Sequence, residues 1–425
     1  MTSKKFKVVT LGCRTNQYES QAYIDQLKAL GYEQAGDGES AELCLVNTCT
    51  VTESADHSSR YSVRQLAKQN PGAQIVVTGC AAEKDGKSFL QMAGVSHVVG
   101  NQDKENLLPI VFPEEDWPEF AIQNFEAHTR AFVKVQDGCN SFCTYCIIPY
   151  VRGRSRSRRL DDILEEIKSL VASGFREIVL TGINIGDFDG APKEGELPVR
   201  LADLVRAVDA VEGVERLRIS SIDPDEVDED LTQAVLNGKH TCPSFHIVLQ
   251  SGSNVVLKRM NRKYTLQIFL DTVEKLKKAH PDFTFTTDVI VGFPGESEAD
   301  FQDTLEVMRT VRFAKVHMFP YSPRSKTRAA LYPNQIAQDV IQERKKRVLH
   351  LAEETSFSLR ETYVGREMDV LLESPVKDFP ELFSGHTENF LSVWVESGSK
   401  TLRSNEIVRV KLIENGKESL RGMII

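Results

Sequence analysis

Apolar positions along the chain recur with two alternating periods. Val8–Leu11, Leu43–Val46 and Ile75–Thr78 are apolar runs of strand length. Between them, Glu19–Leu30 and Glu53–Gln69 carry apolar residues at helical spacing and stop at Gly31 and at Asn70-Pro71-Gly72. This βαβ alternation predicts a parallel α/β domain over residues 1–115. The polar, proline-containing stretch from Asn101 to His128 reads as a connection. A second alternation follows over residues 125–355. Its strands are expected at Ala131–Val135, Glu177–Thr181, Glu215–Ser220, Ser244–Leu249, Phe283–Ile290 and Lys315–Phe319. Its helices are expected at Leu160–Ser173, Arg200–Val211, Leu266–Ala279 and Glu298–Val311. Six such units predict an open, partial (β/α)6 barrel, short of the eight that close one. Ile336–Tyr363 reads as one long charged helix bridging domains. After Gly365 the period falls to two at Met368–Leu372, Phe390–Val395 and Ile407–Leu412, which predicts a small all-β, OB-like domain over residues 358–425.

Composition adds limits. A chain of 425 residues is too long for one small core. No apolar run approaches the ~20 residues of a membrane span, and the charged N-terminus leads into no apolar signal region. The expected location is therefore the cytoplasm, with no membrane partner. A net charge of −9 argues mildly against nucleic acid, although a local basic face can override it. Eight cysteines in a reducing compartment read as ligands rather than disulfides.

The cysteines fall into two sets. Cys139, Cys143 and Cys146 form C-x3-C-x2-C just after the first strand of the second domain. Three thiolates on a [4Fe–4S] cube leave one iron open to chelate a small molecule, such as the methionine end of S-adenosylmethionine (SAM). A zinc knuckle would want a fourth Cys or His, and none stands nearby. Cys13, Cys49 and Cys80 are distant in sequence, yet each follows a predicted parallel strand. Those loops lie along one sheet edge, where ligands bind, so three thiols are expected to converge there. Again one iron would be open. Cys44 lies inside a strand and Cys242 stands beside Pro243; both read as core residues.

Three further loops sit at expected strand ends: Thr181–Gly186, Leu249–Ser253 and Asp288–Glu296. In a barrel such loops build the active site. Arg152, Arg154, Arg156, Arg158 and Arg159 place five arginines within eight residues directly after the cysteine loop, where they are expected to contact phosphate.

The motifs Val135-Gln-Asp-Gly-Cys139-Asn-Ser-Phe-Cys143-Thr-Tyr-Cys146 and Leu11-Gly-Cys13-Arg-Thr-Asn-Gln-Tyr-Glu-Ser20 are joined by the small β tail, and the resemblance they carry covers essentially the whole chain. Together they resemble the radical-SAM methylthiotransferases, in particular the branch acting on N6-threonylcarbamoyladenosine at tRNA position 37. Sister branches act on N6-isopentenyladenosine in tRNA or on an aspartate of a ribosomal protein. The resemblance implies two [4Fe–4S] clusters: one on Cys139, Cys143 and Cys146 that cleaves SAM to a 5′-deoxyadenosyl radical, and an auxiliary one on Cys13, Cys49 and Cys80 that handles sulfur. It implies that Tyr145 lies near the SAM adenine, Gly182 and Asn184 near its methionine, and Ser221 and Gln250 near its ribose. It further implies a tRNA-contacting TRAM domain at the C-terminus, an electron donor such as flavodoxin or ferredoxin, a sulfur donor, and action as a monomer. Two departures from the family pattern stand out. Ser325-Lys326 precedes Thr327 where a glycine is usual, and the tail from Ser358 onward carries nine Lys/Arg against eleven Asp/Glu. An iron–sulfur electron carrier and a zinc-dependent RNA-binding module remain as competing classes.

Overall fold

The computed structural model describes residues 4–123, 129–398 and 401–425. The N-terminal sheet is built from β1 (Lys5–Thr10), β2 (Glu33–Gln34), β3 (Leu43–Thr48), β4 (Gln74–Gly79) and β5 (Val95–Val99). Its order is β2-β1-β3-β4-β5 and every pair is parallel. Helices α1 (Arg14–Ala29), α2 (Glu53–Gln69) and α3 (Cys80–Leu90) form the crossovers. The central strands are buried throughout, so they read as continuous apolar runs. Helix α1 begins five residues before the apolar pattern suggests. Its first turns carry Thr15, Asn16, Tyr18, Glu19 and Ser20, all buried, and Asn16, Tyr18 and Glu19 meet the second domain at Arg152 and Glu166 rather than facing water. The expected connection also holds structure: α4 (Leu107–Val111) buries Leu107 and Leu108. Residues 124–128, where the second domain was expected to begin, lie outside the described residues.

The second domain opens with β6 (Arg130–Lys134). The short strands β7 (Gln136–Asp137) and β8 (Arg156–Ser157) pair across the cysteine loop and α5 (Ile148–Val151). Then follow α6 (Leu160–Ala172), β9 (Glu177–Thr181), α7 (Leu201–Asp209), β10 (Arg216–Ile219), β11 (Ser221–Ile222), α8 (Glu229–Asn237), β12 (Ser244–Ile247), α9 (Asn254–Arg259), α10 (Leu266–Ala279), β13 (Thr284–Val291), α11 (Glu298–Val311) and β14 (Lys315–Pro320). The parallel sheets β10-β9-β6 and β11-β12-β13-β14 meet at the near-continuous Arg216–Ile222 segment. They form a curved, open wall whose edge strands are β6 and β14. Helix α1 packs on β6, the first edge.

Helix α12 (Gln338–Glu361) crosses to the C-terminal domain, a closed five-stranded barrel of β15 (Glu367–Val376), β16 (Phe379–Thr387), β17 (Ser392–Glu396), β18 (Ile407–Asn415) and β19 (Leu420–Ile424). Strands β16 and β19 escape the period-two pattern because Pro380, Gly385 and Gly422 interrupt it. This domain docks on the strand N-termini of the open wall. Arg216 donates to the carbonyls of Asp369 (2.8 Å) and His386 (3.0 Å), and Arg218 donates to that of Thr387 (3.0 Å). Arg130 pairs with Glu373 at 2.9 Å.

Candidate active site

Cys13, Cys49 and Cys80 follow β1, β3 and β4, three adjacent strands, and all three stand at one sheet edge. Cys13 caps α1, and Cys80 opens α3. Gly12 adopts φ +96°, and a Cβ there would fall 2.8 Å from Cys49 Sγ, so only glycine lets the first loop close over the second. Burial pushes the Cys49 thiol up to about 11, and it raises Cys80 against the pull of Arg152. Asn101 donates to the Val151 carbonyl at 2.6 Å and lies 3.8 Å from Cys80 Sγ. Cys80 packs on Ile147 and Val151, the residues just after Cys146. The two cysteine loops therefore face each other across the domain boundary.

Cys139, Cys143 and Cys146 lie between β7 and α5. Phe142 holds φ +48° within this loop, and the amide of Ser141 donates to Cys139 Sγ at 3.3 Å. Burial raises the Cys146 thiol to about 12, with Cys143 adding to it. Arg262 donates to Cys143 Sγ at 3.1 Å and pairs with Asp223. Among the described residues no group of three or more His, Cys, Asp and Glu surrounds a single metal ion. Cys44 and Cys242 are buried, as expected of core residues.

The residues expected near SAM lie in the cysteine loop itself, in the loops after β9 and β12, and on β11. Tyr145 is half-buried against Phe293, 6.4 Å between ring centres. The Asn184 side chain donates to Glu226 at 2.9 Å, and the amides of Ile183 and Asn184 both donate to Gln136. Gly182 lies tight on Gln136. Gln250 holds φ +59°, and its buried side-chain oxygen has no hydrogen-bond partner. Ser221 stands exposed on β11, in register with His246. Sequence reasoning did not single out Gln136, Asp223, Glu226 or Arg262. Burial, followed by the nearby Asp223, raises the Glu226 carboxyl to about 7.

The arginine run divides in two, which corrects the expectation that all of it faces phosphate. Arg152 is fully buried. It reaches Asp137 at 2.8 Å, Glu19 at 3.2 Å and Asn16 at 2.5 Å, while Lys104 lies 2.5 Å from both carboxylates. Arg158 pairs with Glu166 at 2.6 Å and donates to Tyr18 at 3.1 Å. Both bind the N-terminal domain to the barrel. Arg154 is exposed, Arg156 is half-exposed over Asp137, and Arg159 pairs loosely with Glu196. In the loop that departs from the family pattern, Lys326 adopts φ +74°, a conformation that favours glycine. Arg324 of that loop reaches across to Thr50 at 2.7 Å and Asp56 at 2.5 Å, beside Cys49.

A parallel wall with its cysteine loop at the strand C-termini is the architecture of a radical-SAM enzyme. The radical SAM superfamily model matches residues 133–308, and that of uncharacterized protein family UPF0004 matches residues 5–100. Two solved structures share the fold. A radical SAM methyltransferase, TsrM from Kitasatospora setae, matches with TM-score 0.55 and 14% identity over 76% of this chain and 77% of that one. The cobalamin-dependent radical enzyme OxsB matches with TM-score 0.51 and 10% identity over 83% and 62%. Among sequence relatives, the threonylcarbamoyladenosine tRNA methylthiotransferase MtaB of Chlamydia pneumoniae is 49% identical over 99% of this chain and 98% of its own. The Bacillus subtilis MtaB is 37% identical over 98% and 95%. A tRNA-2-methylthio-N(6)-dimethylallyladenosine synthase of Moorella thermoacetica is 36% identical over 99% and 98%. The chain belongs to the radical-SAM methylthiotransferase family, which implies SAM and a [4Fe–4S] cluster. No helix among the described residues is long and apolar enough to cross a membrane.

Proposed function

We propose that the protein transfers a methylthio group to C2 of N6-threonylcarbamoyladenosine at position 37 of tRNA, in the cytoplasm and as a monomer. Support comes above all from one contact: Cys80 of the first triad packs on Ile147 and Val151 beside the second. The donor sets suit two [4Fe–4S] clusters, each with one open iron. Each triad also has a guanidinium nearby, Arg152 near Cys80 and Arg262 on Cys143, which suits an anionic thiolate cluster. Such clusters supply one-electron cleavage of SAM and delivery of a methylated sulfur.

In this scheme the chain's own groups orient the reactants. Tyr145, Gly182, Asn184, Ser221 and Gln250 hold SAM, with the orphaned Gln250 oxygen available to a ribose hydroxyl. Asn184 is itself fixed by Glu226. The buried Glu19–Lys104–Asp137–Arg152 network sets the spacing between the two cysteine loops. An electron donor such as flavodoxin or ferredoxin and a sulfur donor complete the cycle.

The dimethylallyladenosine synthases among the relatives favour a second reading, isopentenyladenosine as substrate. Anaerobic incubation of the reconstituted protein with SAM, dithionite and tRNA carrying either nucleoside, followed by nucleoside mass spectrometry, separates the two. A methylthio product only on the isopentenyl tRNA overturns the proposal, and product on neither, such as transfer to a ribosomal protein instead, does so as well.

A further inference from the structure

We infer that Arg14, with Lys315 and His317, forms the receptor for the carboxylate of the modified base, and so sets which modified adenosine the enzyme accepts. This rests on the threonylcarbamoyl reading above. The wall of strands is open between β6 and β14, and a cavity of about 730 Å³ fills that opening beneath the C-terminal domain. Its volume lies within the ~300–1,000 Å³ range of small-molecule sites. Arg14 enters it from the first turn of α1, immediately after Cys13. The β14 side supplies Lys315 and His317, and Phe390 comes from the C-terminal domain.

Arg14 differs from the other guanidiniums around it. Arg130 is neutralised by Glu373 and Arg218 by Glu177. Arg14 lies over the Phe132 ring at 5.3 Å, and no carboxylate among the described residues stands within ion-pair distance of it. Lys315 likewise has no ion-pair partner among the described residues. His317 faces the His246 ring at 5.7 Å, and His246 in turn contacts Thr286 and Asp288. A half-buried arginine with no carboxylate at ion-pair distance, lining a cavity and following Cys13 in the chain, is an arrangement that an anionic ligand completes. The threonylcarbamoyl group carries such a carboxylate; an isopentenyl group does not. The planar guanidinium can take it in bidentate fashion.

The test compares Arg14→Met, Arg14→Lys and the parent protein on two tRNAs: one with the free threonylcarbamoyl acid, one with its methyl ester. Methylthio product is measured over a concentration series, and iron content and thermal unfolding are recorded for each protein. The parent should prefer the acid by about 10- to 100-fold in kcat/KM, as expected for a charge-assisted contact. Arg14→Met should lose that preference, mainly through KM, and Arg14→Lys should recover part of it. A general loss of folding or of cluster lowers both substrates together, so the acid-to-ester ratio still reports the contact. If the parent acts on the acid and Arg14→Met keeps the full acid preference, the receptor is elsewhere. If the parent acts on neither threonylcarbamoyl tRNA, the substrate reading fails instead.

Discussion

The guanidinium of Arg262 touches the sulfur of Cys143 at 3.1 Å although 119 residues separate them in sequence. Its other arm is held by Asp223, so the cation is pinned against the cysteine loop rather than free to swing. A fixed positive charge beside a cluster ligand favours the reduced state. Arg262→Met should make the reduction potential of that cluster more negative and slow 5′-deoxyadenosine formation by at least about tenfold, each potential step being a proportional change in equilibrium. An EPR-monitored redox titration reads the first effect and chromatography the second. Unchanged values in both would reduce Arg262 to a packing residue.

Iron content should separate the two triads. Anaerobically reconstituted protein is expected to bind about eight iron atoms, and the Cys13→Ala, Cys49→Ala, Cys80→Ala variant about four. Cys143→Ala should form no 5′-deoxyadenosine. Cys80→Ala should still cleave SAM but make no methylthio product. Loss of SAM cleavage in Cys80→Ala with the other cluster spectroscopically intact would contradict this division.

Salt dependence should split the arginine run in the way its burial does. Exposed Arg154 and loosely paired Arg159 are placed to meet phosphate, so changing both to Gln should flatten the slope of log affinity against log salt by about 1–2. Arg158→Gln should leave the slope alone and lower stability, because it strips Glu166 of its partner. Filter binding across a salt series, with a melting curve for each variant, decides the matter.

Acid should loosen the domain boundary. Burial alone would raise the Glu19 carboxyl, but Lys104, Arg152 and Lys134 outweigh it and hold it at about 2. An unfolded-chain Glu titrates near about 4.3. The folded value is the lower one, so this contribution is complete above about 4.3 and is lost as pH falls toward 2. Denaturant midpoints measured between pH 6 and pH 3 should therefore drop more steeply in the parent than in Glu19→Gln. Arg152→Met should cost about 3–5 kcal/mol at neutral pH, since it leaves buried Asp137 and Glu19 short of a cation. Parallel pH curves for parent and Glu19→Gln would count against this.

Helices with local signals were legible in the sequence. Glu53–Gln69, Leu266–Ala279 and Glu298–Val311 have the expected bounds, and each is started by a side-chain cap, from Thr52, Thr265 and Ser297. The convergence of Cys13, Cys49 and Cys80 was legible too, because parallel topology fixes which loops share an edge. Long-range charge pairing was not. Glu19, Arg152 and Arg158 look like surface residues in their own neighbourhoods, and each has a partner on another domain, Arg152 for Glu19, Glu19 and Asn16 for Arg152, and Tyr18 for Arg158. For the same reason α1 hid its beginning: polar residues buried at an interface imitate a loop.

The C-terminal domain is gripped in part by its main chain. Arg216 and Arg218 hold the carbonyls of residues 369, 386 and 387, and Thr284 takes that of Asn389. Every amino acid offers the same carbonyl. The side chains displayed on the outer face of that domain can therefore be rewritten with little cost to its orientation. An acidic tail and a basic one could be mounted on the same catalytic body, at the same angle, and differ only in the outer face they display.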